Sequence, residues 1–229
     1  MFQVKKNPNK WQICGTGDGW QLMPQVTDRI VFCLNDYIRT EKYGVKPDLL
    51  CIMDVLGEKP SIVSGSDNLG DVIAKINSMR VPLIAPFQYE EIPLSMPFPL
   101  EKCAKEFGMG AMYFSNTIAY MIAFALLNGA KDIALYGVNQ AGAHEYAEER
   151  GAVEFWIGIA VGRGVNVTIN GKNSQLLMYK GRYGRGLLYG YLQSYEEIIY
   201  NKAKYGESVV RRLLKPPQVH ARTIRRVNS

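Results

Sequence analysis

Polar and glycine residues follow the predicted strands at the positions where parallel sheets bind ligands. Gly15-Thr16-Gly17-Asp18-Gly19 comes directly after the short apolar run that begins at Trp11. Glycines in such a turn allow backbone N–H groups to approach a phosphate closely. Because ligands bind outside the carboxyl ends of parallel strands, we predict a ligand site from the residues at these ends and at one helix start: Gly15, Thr16, Gly17, Asn35, Asp36, Asp54, Ser115, Asn116, Gly137, Asn139 and Gln140.

Some of these residues also have a purely structural explanation. Asp36, Asp54 and Ser115 are residue types that commonly cap the first turn of a helix. The spacing of the glycines in 15–19 differs from the GxGxxG fingerprint, and no Gly-Lys-Ser/Thr follows them, so the motif alone has low specificity. The sequence therefore leaves capping and ligand contact open for these positions.

Candidate acid and base residues are few. The chain has two histidines, His144 and His220, which excludes a site built from several histidines. His144 and Glu145 follow the fifth predicted strand, and either is a candidate general base for a substrate hydroxyl. An ordinary surface position is the alternative for His144. Asp54 is the third candidate catalytic residue.

A group of cations follows the last predicted strand. Lys180-Gly-Arg182-Tyr-Gly-Arg185-Gly interleaves three basic residues with an aromatic ring and glycines. Guanidinium groups bind phosphates through two parallel hydrogen bonds and stack on bases. We predict that Lys180, Arg182 and Arg185 neutralise a ligand phosphate, and a solvated loop is the alternative.

The elements that would position these residues alternate between strand and helix. Continuous apolar runs indicate strands buried on both faces of a parallel sheet, and they begin near Trp11, Arg29, Asp48, Val81, Lys131 and Val165. Apolar residues at helical spacing predict helices over 69–79, from Ser115 or Asn116 to Leu127, and around Trp156. The segment Pro86–Pro99 is expected to be an irregular insertion or lid. We predict a Rossmann-like, doubly wound α/β fold with a mostly parallel sheet of about six strands and a C-terminal helical and basic extension.

Length and charge separate a domain from a tail. With 229 residues, of which 47% are hydrophobic, the chain suits one large domain. Residues 1–208 hold 21 basic and 21 acidic residues, whereas residues 209–229 hold six basic residues and no acidic one. We therefore predict one Rossmann-like domain over 1–208 and a basic tail over 209–229. The tail is expected to be a solvated extension or an arm for nucleic acid or an acidic protein partner.

The composition also excludes several classes of protein. No apolar run reaches about 18 residues, and residues 1–12 lack the apolar core of a signal peptide, so we expect a cytoplasmic protein without a membrane partner. The four cysteines, Cys14, Cys33, Cys51 and Cys103, have no CxxC spacing and are expected to be buried and reduced. Zinc and haem are not expected, while magnesium and a homo-oligomeric state stay open.

Two blocks of the chain resemble the 6-hydroxymethylpterin diphosphokinase (MptE-like) Rossmann family. The first runs from Val31-Phe-Cys-Leu-Asn-Asp through Pro47-Asp48 to the strand end at Asp54. The second runs from Ser115-Asn-Thr-Ile-Ala through Gly129 to Gly137. The same blocks are similar to bacterial sialyltransferases and related glycosyltransferase-like proteins, some of which phages encode. The resemblance spans residues 11–169.

The resemblance implies that the chain binds a nucleotide or nucleotide-sugar through Gly15, Gly17, Asn35, Ser115 and Gly137. In the diphosphokinase branch it implies that Asp54 helps to hold Mg²⁺ on the phosphates of ATP. The family has an acidic residue after the fifth strand where this chain has Asn139, which removes a carboxylate expected at the ligand or metal. For a phage-encoded chain, the implied location is the host cytoplasm or the virion.

Three functions follow as hypotheses. The leading one is a glycosyltransferase-like enzyme with a nucleotide-sugar donor, in which His144 or Glu145 is the general base. The second is an MptE-like diphosphokinase that uses ATP and Mg²⁺. The third is a non-catalytic Rossmann-like protein, recruited to a phage particle or a nucleic-acid assembly through its basic tail, in which Asn139 marks lost chemistry.

Overall fold

One parallel sheet organises the part of the chain that the structure describes. The computed structural model describes residues 5–35, 44–56, 68–140, 144–171 and 174–176, with the backbone alone for 144–148. Its strands are β1 (Asn7–Cys14), β2 (Arg29–Leu34), β3 (Leu49–Cys51), β4 (Leu83–Ala85), β5 (Ser95–Pro97), β6 (Asp132–Tyr136) and β7 (Asn166–Asn170). They pair in the order β5-β4-β3-β2-β1-β6-β7, and every pairing is parallel.

The described part of the chain has four α-helices, two of which begin with a capping side chain. They are α1 (Leu69–Met79), α2 (Leu100–Phe107), α3 (Thr117–Leu127) and α4 (His144–Gly162). The Asn68 side chain accepts a hydrogen bond from the Gly70 N–H at the start of α1, and Asn116 accepts one from the Ala119 N–H at the start of α3. The predicted bounds of α1 and the predicted end of α3 are confirmed.

Helices cover both faces of the sheet, as a doubly wound fold requires. Successive strand residues point to opposite faces, so Trp11 and Phe32 meet Phe124 of α3 on one face, with ring centroids 5.7 to 6.2 Å apart. On the other face, buried strand residues such as Val31 pack with Val72 and Ile76 of α1. The predicted Rossmann-like α/β fold is confirmed.

The sheet has seven strands among the described residues, one of which comes from the segment Pro86–Pro99, so this segment is not wholly irregular. It contains β5, which pairs with β4 at the edge of the sheet. The buried Ser95 hydroxyl accepts a hydrogen bond from the Tyr89 N–H at 2.8 Å and anchors this strand. A three-residue edge strand that ends in proline leaves little periodicity to detect. Helix α2, which follows it, was also not predicted.

Several sequence predictions lie outside the described residues. They are the C-terminal helical extension, the domain boundary near residue 208 and the basic tail. All four cysteines are described, and each is a buried free thiol, which confirms that prediction. Among the helices of the described part, none is long and apolar enough to cross a membrane.

Candidate functional site

A cleft of about 760 Å³ opens at the carboxyl ends of the central strands. From β1 the chain adds β2 to β5 on one side, and then β6 and β7 on the other. The loops after β1 and β6 therefore diverge and leave a crevice between them. Its described lining is Gly15, Thr16, Gly17, Asp18, Leu34, Asn35, Met53, Asp54, Phe114, Ser115, Asn116, Thr117, Ile118, Tyr120, Gly137, Val138, Asn139, Gln140 and Glu149.

The glycines after β1 and β6 interlock at the base of this cleft. A Cβ atom at Gly15 would lie 2.3 Å from the Gly137 carbonyl oxygen, and one at Gly17 would lie 2.9 Å from it. The Gly15 N–H donates to the Tyr136 carbonyl at 2.7 Å, and the Gly17 N–H donates to the Gly137 carbonyl at 2.9 Å. Both N–H groups are therefore engaged by the protein, and the glycines permit the two loops to touch.

Asn35 and Asp54 form a hydrogen-bonded pair at the ends of β2 and β3. The Asn35 Nδ2 donates to Asp54 Oδ2 at 2.8 Å. Because an ionised carboxylate only accepts hydrogen bonds, this contact fixes the amide so that Asn35 Oδ1 points elsewhere. That oxygen is buried and has no hydrogen-bond partner.

Asn116, rather than Ser115, caps helix α3. Its Oδ1 accepts the Ala119 N–H at 3.0 Å, which leaves its Nδ2 buried without a partner. The Ser115 hydroxyl donates to the backbone carbonyl of Glu149 at 3.4 Å, linking the start of α3 to α4. The cap and the candidate ligand donor therefore belong to the same amide group.

Unpartnered polar atoms concentrate around the cleft. In the described part of the chain, four buried side-chain nitrogen or oxygen atoms lack a partner, and three of them belong to the cleft residues Asn35, Asn116 and Gln140. An unsatisfied buried polar group costs about 1–3 kcal/mol. Gln140 also has a left-handed backbone with φ of 49°, which is uncommon for a residue with a Cβ. This concentration is the pattern expected of a ligand site.

The charged side chains along the described lining are all acidic. They are Asp18, Asp54 and Glu149, and no lysine or arginine is among the described lining residues. Asp54 is the predicted Mg²⁺ ligand, but the described residues contain no group of three or more metal-binding side chains. Magnesium commonly binds one or two carboxylates together with substrate phosphates. Asp54 therefore fits as one ligand of a phosphate-bound ion.

Stacked aromatic rings form one wall of the cleft. Phe114 lies nearly parallel to Tyr120, with centroids 4.2 Å apart, and to Trp156, with centroids 5.0 Å apart. Phe114 and Tyr120 both line the cleft. Burial, with a smaller contribution from Cys51, raises the pKa of the Tyr120 phenol, so it stays protonated as a hydrogen-bond donor.

The structure brings most of the predicted site residues together. Ten of the predicted positions line the cleft: Gly15, Thr16, Gly17, Asn35, Asp54, Ser115, Asn116, Gly137, Asn139 and Gln140. Asp36, Lys180, Arg182 and Arg185 lie outside the described residues. Helix α4 begins at His144, and the side chains of His144 and Glu145 are not among those described. The binding and catalytic roles of all the predicted site residues, inside and outside the cleft, stay predictions.

Nine of the described lining residues were not predicted from the sequence, among them Phe114, Tyr120 and Glu149. Phe114 precedes the predicted helix start, and Tyr120 lies one turn into that helix, so both look like ordinary core residues. Glu149 lies in α4, seven residues before Trp156, around which that helix was predicted. The sequence signal for Glu149 is its spacing of four residues from Glu145, which places both positions on one face of a helix.

No family model matches the chain, and no curated protein matches its sequence. In structure it is similar to the sialyltransferase CstII from Campylobacter jejuni in complex with CMP, at 18% identity over 75% of this chain and 83% of that chain, with a TM-score of 0.47. For CstII with CMP-3FNeuAc the identity is 17% over 74% of this chain and 83% of that chain, with a TM-score of 0.48. For an α-2,3-sialyltransferase from Campylobacter jejuni in apo form the identity is 15% over 77% of this chain and 81% of that chain, with a TM-score of 0.45.

Proposed function

We propose that the protein is a nucleotide-binding transferase that uses a nucleotide-sugar donor bound in this cleft. The observation that supports it is the set of unpartnered buried atoms on Asn35, Asn116 and Gln140, all at the switch point of the sheet. A ligand with hydroxyl or amine donors satisfies the Asn35 oxygen. An acceptor oxygen or ring nitrogen satisfies the Asn116 amide. Nucleotides and sugars offer both kinds of group.

The charge of the cleft favours glycosyl transfer over phosphoryl transfer. A glycosyl group passes through a transition state that resembles an oxocarbenium ion and carries positive charge. Phosphoryl transfer instead needs cations around the phosphoryl oxygens. Asp18, Asp54 and Glu149 supply three carboxylates, whereas the described lining supplies no basic side chain. The described groups are therefore better suited to a glycosyl donor.

The leaving phosphate still requires neutralisation. The sequence offers Lys180, Arg182 and Arg185 as candidates for this role, because guanidinium and ammonium groups bind phosphates. In the part of the chain that the structure describes, the N–H groups of Gly15 and Gly17 do not supply it, since both are donated to backbone carbonyls. Charge-reversing substitutions at Arg182 and Arg185 are therefore expected to weaken binding of the nucleotide more than binding of the free sugar.

Thermal unfolding of the full chain with a ligand panel tests the proposal. The panel contains CMP, UDP, GDP and ATP with the corresponding nucleotide-sugars, each with Mg²⁺ or with EDTA. A ligand at about 100 times its Kd stabilises the native state by about 2.7 kcal/mol. We expect one nucleotide-sugar to raise the unfolding temperature of the wild-type chain. We expect Asn35→Asp to abolish this rise, because Asp places a second carboxylate against Asp54.

Two results would contradict it. A response to ATP that needs Mg²⁺, followed by release of AMP, would identify the diphosphokinase alternative. No shift with any nucleotide would support the non-catalytic alternative, in which Asn139 marks the lost site. Asn77→Asp is the matched control, because the Asn77 side chain is exposed on α1 and lies outside the cleft.

A further inference from the structure

Glu149 is the cleft carboxylate whose role no sequence motif assigns. Of the three acidic residues in the described lining, Asp54 lies in the loop after β3, where it accepts the Asn35 amide at 2.8 Å. Asp18 is exposed in the loop after β1. Glu149 is half-buried on helix α4. It is therefore the carboxylate that combines partial burial with a rigid element.

Contacts around Glu149 fix its position against the start of α3. Its backbone carbonyl accepts the Ser115 hydroxyl at 3.4 Å. Two residues later, a Cβ at Gly151 would lie 3.2 Å from the Tyr113 hydroxyl, so α4 is seated closely on the segment before α3. A catalytic side chain on a helix held in this way keeps its geometry better than one on a loop.

We propose that Glu149 is the general base of the transfer reaction, an inference that rests on the proposed function. The proton of the acceptor hydroxyl moves to the Glu149 carboxylate as the acceptor oxygen attacks the anomeric carbon of the donor. The bond between that carbon and the phosphate oxygen breaks, and its electron pair leaves with the nucleotide. One carbon–oxygen bond forms and one breaks, no electron carrier is needed, and the anomeric configuration inverts.

This assignment gives Glu149 the task that the sequence pattern suggested for His144 or Glu145. Glu145 lies one helical turn before Glu149 on the same face of α4, and His144 is the first residue of that helix. The three residues therefore form a short series along one helix. Substituting each in turn identifies the position that carries the proton transfer.

The decisive comparison is Glu149→Gln against Glu154→Gln. Glu154 lies five residues further along α4, pairs with Arg150 at 3.6 Å and does not line the cleft. Nucleotide release from CMP-, UDP- and GDP-sugars is measured with galactose and lactose as hydroxyl acceptors. We expect Glu149→Gln to lower kcat by about 10²–10⁴-fold, with donor Kd unchanged. Glu154→Gln is expected to retain turnover, and Glu149→Asp to regain part of it.

The other outcomes separate the two proposals. If Glu149→Gln turns over donor as fast as the wild type, the assignment of Glu149 is overturned and the proposed function is not. The same holds if only His144→Ala or Glu145→Gln lowers kcat by about 10²–10⁴-fold. Absence of turnover in the wild type with every donor would overturn the proposed function and the base together. If Glu149→Gln unfolds, Glu149→Asp decides: turnover equal to that of the wild type would overturn the assignment, whereas a fall with unchanged donor Kd supports it.

Discussion

Asn116 has two amide atoms with different tasks. Its Oδ1 caps helix α3 through the Ala119 N–H, while its Nδ2 is buried at the cleft without a partner. Aspartate is as good an N-cap as asparagine, and its charge also interacts favourably with the positive end of a helix. Aspartate, however, has no donor to replace Nδ2. One substitution can therefore separate the structural task from the binding task.

We expect Asn116→Asp to keep the helix cap and to weaken nucleotide-sugar binding about tenfold or more, which is about 1.4 kcal/mol. Asn116→Ala is expected to lose both the cap, at about 1 kcal/mol, and the ligand contact. Urea unfolding measures the first effect and calorimetric titration measures the second. Unchanged affinity in Asn116→Asp would show that Nδ2 does not contact the ligand.

The sequence predicted which residues lie at the cleft better than it predicted the contacts between their side chains. The rule that ligands bind at strand ends found Asn35, Asp54 and Gly137 without any structure. It did not show that Asn35 and Asp54 bond to each other, or that Asn116 rather than Ser115 is the cap. These details depend on distances between strands, and no spacing along one chain reports them.

The loops after β1 and β6 depend on glycine for contact rather than for flexibility. A Cβ at Gly15 would meet the oxygen and the carbon of the Gly137 backbone at 2.3 and 2.9 Å, and backbone atoms cannot rotate away. A Cβ at Gly158, on the exposed side of α4, would instead meet open space, with nothing within 4 Å. The two glycines thus provide a matched pair, one tightly enclosed and one open.

We expect Gly15→Ala to lower the free energy of unfolding by about 1–3 kcal/mol and to disturb ligand binding, because it separates the β1 and β6 loops. Gly158→Ala is expected to raise the free energy by about 0.5–1 kcal/mol, as alanine favours a helix interior over glycine. Denaturant unfolding of both variants provides the measurement. Equal effects on stability would contradict the interlocked loops.

Arg29 and Asp132 join the strands on either side of β1. Arg29 donates to both carboxylate oxygens of Asp132, at 2.7 and 3.0 Å, and their side chains are 21% and 25% exposed. The hydrogen bonds from Arg29 hold the pKa of Asp132 below its ordinary value of 3.8. A carboxyl group with a lowered pKa in the folded state stabilises the fold above its unfolded pKa, and this contribution is lost as the pH falls.

We therefore expect Asp132→Asn to cost about 1–2 kcal/mol at pH 7, and the difference from the wild type to shrink as the pH falls below 3.8. Unfolding by urea across about pH 2.5 to 7, which includes this transition, gives the profile. Asp28→Asn is the control, and its effect is expected to be smaller because Asp28 and Lys10 are each 41% exposed. A difference that is independent of pH would contradict the pairing.

Among the elements, those with strong periodicity were predictable and the short edge was not. The bounds of α1 follow from apolar residues at helical spacing and an asparagine cap. Strand β5 has three residues, with Met96 exposed at 42% and Pro97 at its end. Such a strand is defined by its pairing with β4 rather than by its own sequence. Helix α2 buries Cys103 alone, which leaves a weak apolar pattern.

At the scale of the whole molecule, the order of the strands determines where the site lies. The sequence predicted alternating strands and helices, but no residue pattern states on which side of β1 the strand β6 adds. That choice creates the switch point and places residues from four strand ends and one helix start around one cleft. The long-range pairing of β1 with β6 joins residues more than 100 positions apart, beyond the reach of local periodicity.

The four cysteines lie on different elements of the described fold. Cys14, Cys33 and Cys51 lie on β1, β2 and β3, and Cys103 lies on α2, and all four are buried. Burial raises the pKa of the Cys103 thiol to about 11 and raises that of Cys51 further. Because the thiolate is the reactive form, both burial and protonation oppose modification of the native protein.

We expect Ellman's reagent at pH 8 to modify none of the four thiols rapidly in the native chain and all four in guanidinium chloride. Cys103 is expected to react before the strand cysteines, since a helix of eight residues opens more readily than three adjacent strands near the centre of the sheet. Mass spectrometry of the labelled peptides gives the order. Early modification of Cys14 or Cys33 would show that the central strands open before α2, contrary to the packing of these strands.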